Sequence, residues 1–246
     1  MIRFLASLLF ATAGFAFAAP DQAPAASKTL RVLFVGNSLT FATDIPGRVA
    51  KVAEATGRKA VIESVAFPAF SLEDHWFDGR ALAAIRKGWD VVVLQQGTSA
   101  HAEGREQLIE FAKRFAGPIR AAGARPALYM VWPLVSRPRE FPTVIASYRE
   151  AARSVDAILL PVGEAWLRAL SKEPRLKLYG DDIHPSSFGS DIAVITIYLA
   201  LFPAGPQEFD EAFLAKIARV LEIPADRRNF FFDVATRAID EPLEIK

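Results

Sequence analysis

Two short segments, one near each end of the chain, hold the residue types that turn a weak nucleophile into a strong one. Near the start, an apolar run closes in a polar turn, Val32-Leu33-Phe34-Val35-Gly36-Asn37-Ser38-Leu39-Thr40. Near the end, Asp181-Asp182-Ile183-His184-Pro185 leads into a long apolar stretch. The first offers a serine hydroxyl at the mouth of a strand, and the second an imidazole with a carboxylate three residues before it. A hydroxyl attacks an ester at neutral pH only beside a base, and the base needs a third group to hold its tautomer. Ser38, His184 and Asp181 fit these three roles, with Asp181 at Nδ1 of His184 and Nε2 free to take the serine proton. Asp182 is expected to point elsewhere or to cap the following helix.

Each segment also has a plainer reading. Gly36-Asn37-Ser38 is equally an ordinary turn between strand and helix, with Ser38 capping backbone. His184 could merely cap a helix that Pro185 opens at its first position. Histidine is scarce, with only His75, His101 and His184 in the chain. Its appearance beside Asp181 therefore favours the chemical reading.

Elements that would position these residues alternate along the chain. Strands are expected at Leu30–Val35, Ala60–Ala66, Asp90–Leu94, Ala127–Trp132 and Ile158–Pro161. Helices are expected over Asp44–Thr56, Ala81–Lys87, Glu103–Ala122, Pro142–Arg153, Val162–Leu170 and Pro185–Leu201. The consecutive Val91, Val92 and Val93 mark a strand covered on both faces. A run of βα units gives a parallel sheet with helices on both sides, and ligands then sit at the carboxyl ends of the strands. Gly36-Asn37-Ser38, Gln95-Gln96-Gly97 and the turn after Ala66 all fall at such ends. Beyond about residue 207 a helical extension is expected, Phe209–Leu221 and Arg227–Ile239, with Phe230-Phe231-Phe232 as packing.

The bulk of the chain narrows the function further. Arg3, the apolar run Phe4–Phe17 and the small-x-small pattern Ala16-Phe17-Ala18 read as a signal peptide, residues 1–18, cleaved after Ala18. A Pro/Ala-rich spacer, residues 19–28, leads to one domain over 29–246. The apolar run is too short for a comfortable membrane span, so no stable membrane anchor is expected after cleavage. The protein is then periplasmic or secreted. The chain has 29 basic and 28 acidic residues, and removal of residues 1–18 takes away only Arg3. A near-neutral mature protein has no global field to draw nucleic acid or an anionic membrane. The absence of cysteine excludes disulfides, thiolate metal sites and a cysteine nucleophile.

With these residues in view, the chain resembles the SGNH hydrolase (GDSL-like esterase) superfamily over about Leu30–Phe202. It is most similar to secreted bacterial members whose first block reads Gly-Asn-Ser. The resemblance implies a three-layer α/β/α flavodoxin-like sandwich, no cofactor and no metal, and an ester of a small molecule or carbohydrate as substrate. Asp181-Asp182-Ile183-His184-Pro185 matches the superfamily's Asp-x-x-His-Pro, and Gly36-Asn37-Ser38 places the nucleophile at Ser38. The middle blocks depart from the pattern. The second normally supplies a glycine N–H to the oxyanion hole; here Val65-Ala66-Phe67-Pro68-Ala69-Phe70-Ser71 has none, and Ala69 is the best positional match. Ala69 is expected to donate if its φ is negative, whereas Pro68 has no N–H. The third block normally supplies asparagine; here Leu94-Gln95-Gln96-Gly97-Thr98-Ser99 has Ser99 at that position. The implied oxyanion donors are the amides of Ser38 and Ala69 with Gln96, or next Gln95, unless these glutamines brace the loop instead. The alternative to an esterase is a catalytically silent relative that binds a saccharide or other extracytoplasmic ligand.

Three further clusters have plain explanations. Glu73-Asp74-His75-Trp76 reads as a surface segment with His75 near the cleft rim, because adjacent residues seldom converge on one metal ion. His101 and Glu103 read as a solvated loop or as the substrate entrance. Phe67, Phe70, Trp76 and Trp132 could wall a pocket or belong to the core. Gly36 belongs to no Gly-x-Gly-x-x-Gly fingerprint, so a dinucleotide site has little support.

Overall fold

Val32, Leu33, Phe34 and Val35 are apolar on both sides of the pleat, and all four are fully buried. A strand with no solvent face needs helices above and below it and a neighbour at each edge. The computed structural model, which describes residues 28–203 and 210–244, supplies both. Strand β1 (Leu30–Gly36) is followed by α1 (Ser38–Phe41), α2 (Ile45–Ala55), β2 (Ala60–Ala66), α3 (Leu72–Asp78), α4 (Arg80–Ile85) and β3 (Val91–Leu94). Then come α5 (Ala102–Ala121), β4 (Arg125–Tyr129), α6 (Phe141–Ser154), β5 (Ile158–Leu160), α7 (Val162–Lys172), α8 (Ser187–Leu201), α9 (Glu211–Leu221) and α10 (Ala225–Asp240). The expected signal peptide and nearly all of the spacer lie outside the described residues.

The five strands are all parallel in the order β2-β1-β3-β4-β5, which bears out the expected three-layer α/β fold. Winding reverses between β1 and β3, and this order opens a crevice at the carboxyl ends of those two strands. Their registers bring the strand ends level: Gly36 pairs with Ala66, and Val35 with Leu94. Helices α3, α4, α5 and α6 pack side by side in one layer, and α2 and α8 pack together in the other. Helix α8 is apolar almost all round and almost wholly buried, since α2, α7 and α10 cover the sides it does not present to the sheet. Phe231 and Phe232 are buried in this contact region, as packing residues should be.

Some element boundaries differ from the sequence expectation for physical reasons. Helix α3 replaces the expected surface segment around His75; its start is a capping box in which Ser71 Oγ accepts the Asp74 N–H and Asp74 accepts the Ser71 N–H. Pro185 does not open α8. It forms an isolated bridge with Tyr179, and Ser186 caps the helix by accepting the Gly189 N–H. Strand β4 ends at Tyr129 because Met130 turns its backbone to Leu160 and Gly163. No helix among the described residues is long and apolar enough to cross a membrane.

Helices α2 and α8 are tied by an ion pair between Arg48 and Asp191. The Asp191 side chain is 4% exposed and that of Arg48 20%. Burial pushes the Asp191 carboxyl up even against the neighbouring guanidinium. Removing the cation therefore costs more than removing the anion, because Arg48 can reach water and Asp191 cannot. In urea titrations Arg48→Met should lower the unfolding free energy by about 3–5 kcal/mol, and Asp191→Asn by less. A larger loss in Asp191→Asn would contradict this account.

Candidate active site

Gly36 ends β1 where no side chain fits. A Cβ there would lie 2.4 Å from Gln95 Oε1 and 2.5 Å from Thr40 Oγ1. Asn37 is extended and caps α1, its Oδ1 accepting the Leu39 N–H at 3.1 Å. Ser38 is thus the first helical residue, and its own N–H has no partner among the described residues, as expected at that position. The turn after β1 therefore presents a hydroxyl and a free amide together.

The partner loop is built to hold an imidazole. Between Leu178 and Ser186 the chain doubles back, with Gly180 N–H donating to His184 O and Ser186 N–H to Leu178 O, each at 2.8 Å. Three donors from the chain after β4 and within this loop fix it to the sheet. Trp132 Nε1–H donates to Ile183 O (2.9 Å), Val135 N–H to Asp182 O (2.9 Å), and Tyr179 O–H to Pro133 O (2.9 Å). Trp132 itself is fully buried and stacked on Trp166, with centroids 3.7 Å apart. Gly189 lets α8 approach this stack, since a Cβ there would meet Leu178 O at 2.2 Å. Trp132 thus belongs to the core and anchors the loop through its indole.

The two segments meet. His184 Nε2 lies 2.9 Å from Ser38 Oγ, and His184 Nδ1 lies 2.7 Å from Asp181 Oδ2. Asp181 Oδ1 accepts the N–H groups of Ile183 and His184 at 2.8 and 2.7 Å. These two amides, followed by the His184 ring, hold the Asp181 carboxyl well below its usual range, at about 2. An anion at that place favours the tautomer with hydrogen on Nδ1, and leaves the Nε2 lone pair for the serine O–H. Asp182 contributes its carbonyl to Val135, and its side chain is not part of this constellation.

The second and third blocks behave differently from expectation. Ala69 has φ +57°, not a negative value. Pro68 and Ala69 are the central residues of a turn closed by Phe70 N–H to Phe67 O, and proline followed by positive φ is the signature of a type II turn. Alanine here occupies a glycine conformation at a cost of about 1–2 kcal/mol. Its N–H is nonetheless unbonded among the described residues. The Gln96 expectation is corrected: its Nε2 donates to Ser99 Oγ (2.9 Å) and Gly104 O (3.3 Å), and its Oε1 accepts the Leu72 N–H (3.2 Å). Both amide hydrogens are taken up in bracing the loop. Gln95 is equally engaged, through Asn37, Thr40 and Gln96 O. Among the described residues no group of three or more His, Asp or Glu side chains could hold a metal ion.

No family model matches the chain, and no curated protein matches it. Solved structures do. A protein of Slackia heliotrinireducens classed with the SGNH hydrolases is 26% identical, with a TM-score of 0.59 over 70% of this chain and 98% of that one. A DUF4886 family protein from Bacteroides uniformis is 17% identical, with a TM-score of 0.67 over 89% and 98%. An acetyl xylan esterase is 14% identical, with a TM-score of 0.57 over 70% and 96%. This chain belongs to the SGNH hydrolase superfamily. Within this SGNH hydrolase, sequence reasoning missed the supporting roles of Asn37, Thr40 and His75, and that of Trp132, which is core as one of its two readings had it.

His75 is not at the rim. It is fully buried on α3, with Nε2 donating to Gly36 O at 2.7 Å and Nδ1 without a partner. Phe67 and Phe70 lie against its ring, at centroid distances of 5.8 and 5.2 Å. His101 remains at the surface, 3.2 Å from Arg137 and 3.6 Å from Glu140. Burial lowers the His75 pKa from its ordinary 6.5, against the opposing influence of the Gly36 bond. The unfolded chain therefore takes up a proton that the folded chain refuses, so stability is full above the ordinary value and declines as pH falls below it. Urea midpoints at about pH 7.5 and about pH 5 should show this decline in wild type and a shallower one in His75→Gln. Equal slopes in the two proteins would assign the decline to other groups.

Proposed function

We propose that this SGNH hydrolase is a serine esterase, with Ser38 as nucleophile, His184 as general base and acid, and Asp181 as the group that orients His184. The observation that carries the reading is the 2.9 Å contact between His184 Nε2 and Ser38 Oγ, with Asp181 on the far side of the ring. Ser38 Oγ attacks the ester carbonyl while its proton passes to His184 Nε2. The tetrahedral oxyanion faces the free N–H groups of Ser38 and Ala69, and each such donor is typically worth about 3 kcal/mol in the transition state. Protonated His184 then gives its proton to the leaving alcohol. Water, deprotonated by the same nitrogen, releases the acyl group and restores Ser38.

The substrate class we favour is an acetyl or other short acyl ester, plausible on carbohydrate because a structural neighbour is an acetyl xylan esterase. We further read residues 1–18 as an export signal, so that the enzyme would work in the periplasm or outside the cell. The second reading is a silent saccharide-binding relative, which the withdrawn Gln96 amide favours. A fluorophosphonate probe and p-nitrophenyl acetate separate the two. Wild type is expected to label and turn over, Ser38→Ala to do neither, and Asp181→Asn to lose kcat by on the order of 10⁴-fold. Equal labelling of wild type and Ser38→Ala would sink the esterase reading.

A further inference from the structure

We infer that Asn37 is a positioning residue for the oxyanion side of the site, and that it needs an amide, not a carboxylate, to act. The inference rests on Ser38 being the nucleophile. With both glutamines engaged, the donors that remain of those expected for an oxyanion are the N–H groups of Ser38 and Ala69, which belong to different loops. Their separation is therefore fixed only as well as those loops are fixed to each other.

Asn37 makes that connection with both ends of its side chain. Oδ1 faces its own turn, accepting the Leu39 N–H and, at 3.0 Å, a hydrogen of Gln95 Nε2. Nδ2 faces the other loop, donating at 3.0 Å to the carbonyl of Phe70, the residue that follows Ala69. The backbone N–H of Asn37 donates to Gln95 Oε1 at 2.9 Å, so two amides clasp each other across the ends of β1 and β3. Gln95 cannot rotate away, since Oε1 also accepts the Thr40 hydroxyl (2.8 Å) and Nε2 also donates to Gln96 O (2.6 Å). The remaining stitches are neutral too. Phe67 N–H (3.2 Å) and His75 Nε2 (2.7 Å) both donate to Gly36 O, and Leu72 N–H meets Gln96 Oε1. The segment from Phe67 to Leu72 is held at both ends by other residues; next to Ala69 the Phe70 ring packs on His75, and Asn37 Nδ2 is the side-chain hydrogen-bond donor to the backbone there among the described residues.

Aspartate at position 37 separates this role from a merely structural one. It keeps an acceptor for Leu39 and Gln95 and caps a helix as well as asparagine does. Its second oxygen, however, would face the Phe70 carbonyl with no hydrogen between two acceptors. The loop carrying Ala69 must then shift while the fold stays intact.

The test is steady-state hydrolysis of p-nitrophenyl acetate together with thermal unfolding, on wild type, Asn37→Asp and Asn37→Ser. Serine keeps a helix cap but cannot reach Phe70. Both variants are expected to lose kcat by about tenfold to about a hundredfold, with KM within about twofold. The Tm of Asn37→Asp should stay within about 3 °C of wild type. Wild-type kcat in either variant overturns the inference. So does a loss of kcat matched by a proportionate loss of stability in both, which would make Asn37 structural only. Failure of the esterase reading shows instead in wild type and Ser38→Ala, without any change at position 37.

Discussion

The parallel pairing of β1 with β3 is the contact on which the site depends. It sets Gly36 beside Gln95, and the space a side chain would occupy on Gly36 is filled by the Gln95 amide and the Thr40 hydroxyl. From that point the turn through Asn37 has little freedom: its N–H is held by Gln95, its side chain caps α1, and Ser38 emerges with its hydroxyl and amide unobstructed. Parallel order also explains why residues so distant in sequence meet. In a 2-1-3-4-5 sheet every strand delivers its carboxyl end to the same side, and the winding reversal leaves a gap there.

The imidazole reaches this gap by a different kind of support. The loop that carries it has no strand to follow and is hung from buried aromatic residues. Trp132, stacked on Trp166, converts the rigidity of the core into one N–H aimed at Ile183. On the solvent side of the same layer, Arg48 and Asp191 clamp the helix after Ser38 to the helix after His184. Apolar packing and a shielded ion pair thus act on the same distance, the one between hydroxyl and ring.

Much of this was legible in the sequence, and what was not has identifiable causes. The strand Val91–Leu94 and the pair Ser38 and His184 could be read because unbroken apolar runs and a rare residue type carry information locally. Asp181 could be read with them from its place three residues before His184, and the resemblance to the superfamily pointed to the same residue. Helix α3 was hidden because its seven residues are too few to show a period, although Ser71 and Asp74 spelled its cap. The positive φ of Ala69 was not legible from its residue type, while Pro68 before it favours the turn that imposes it. The glutamines were left between two uses because a side-chain amide can serve an anion or a backbone equally well. Only the positions of Leu72, Ser99 and Gly104, all fixed by tertiary folding, decide between those uses.

Asp181 and His184 lie three residues apart and complete one another within a single turn of chain. The contact between carboxylate and imidazole is therefore local, made within one loop and distant in sequence from Ser38. The loops that follow β1, β2, β3 and β4 lie at the same edge of the sheet. Changes in those loops can therefore reshape the crevice while the contact between Asp181 and His184 stays as it is.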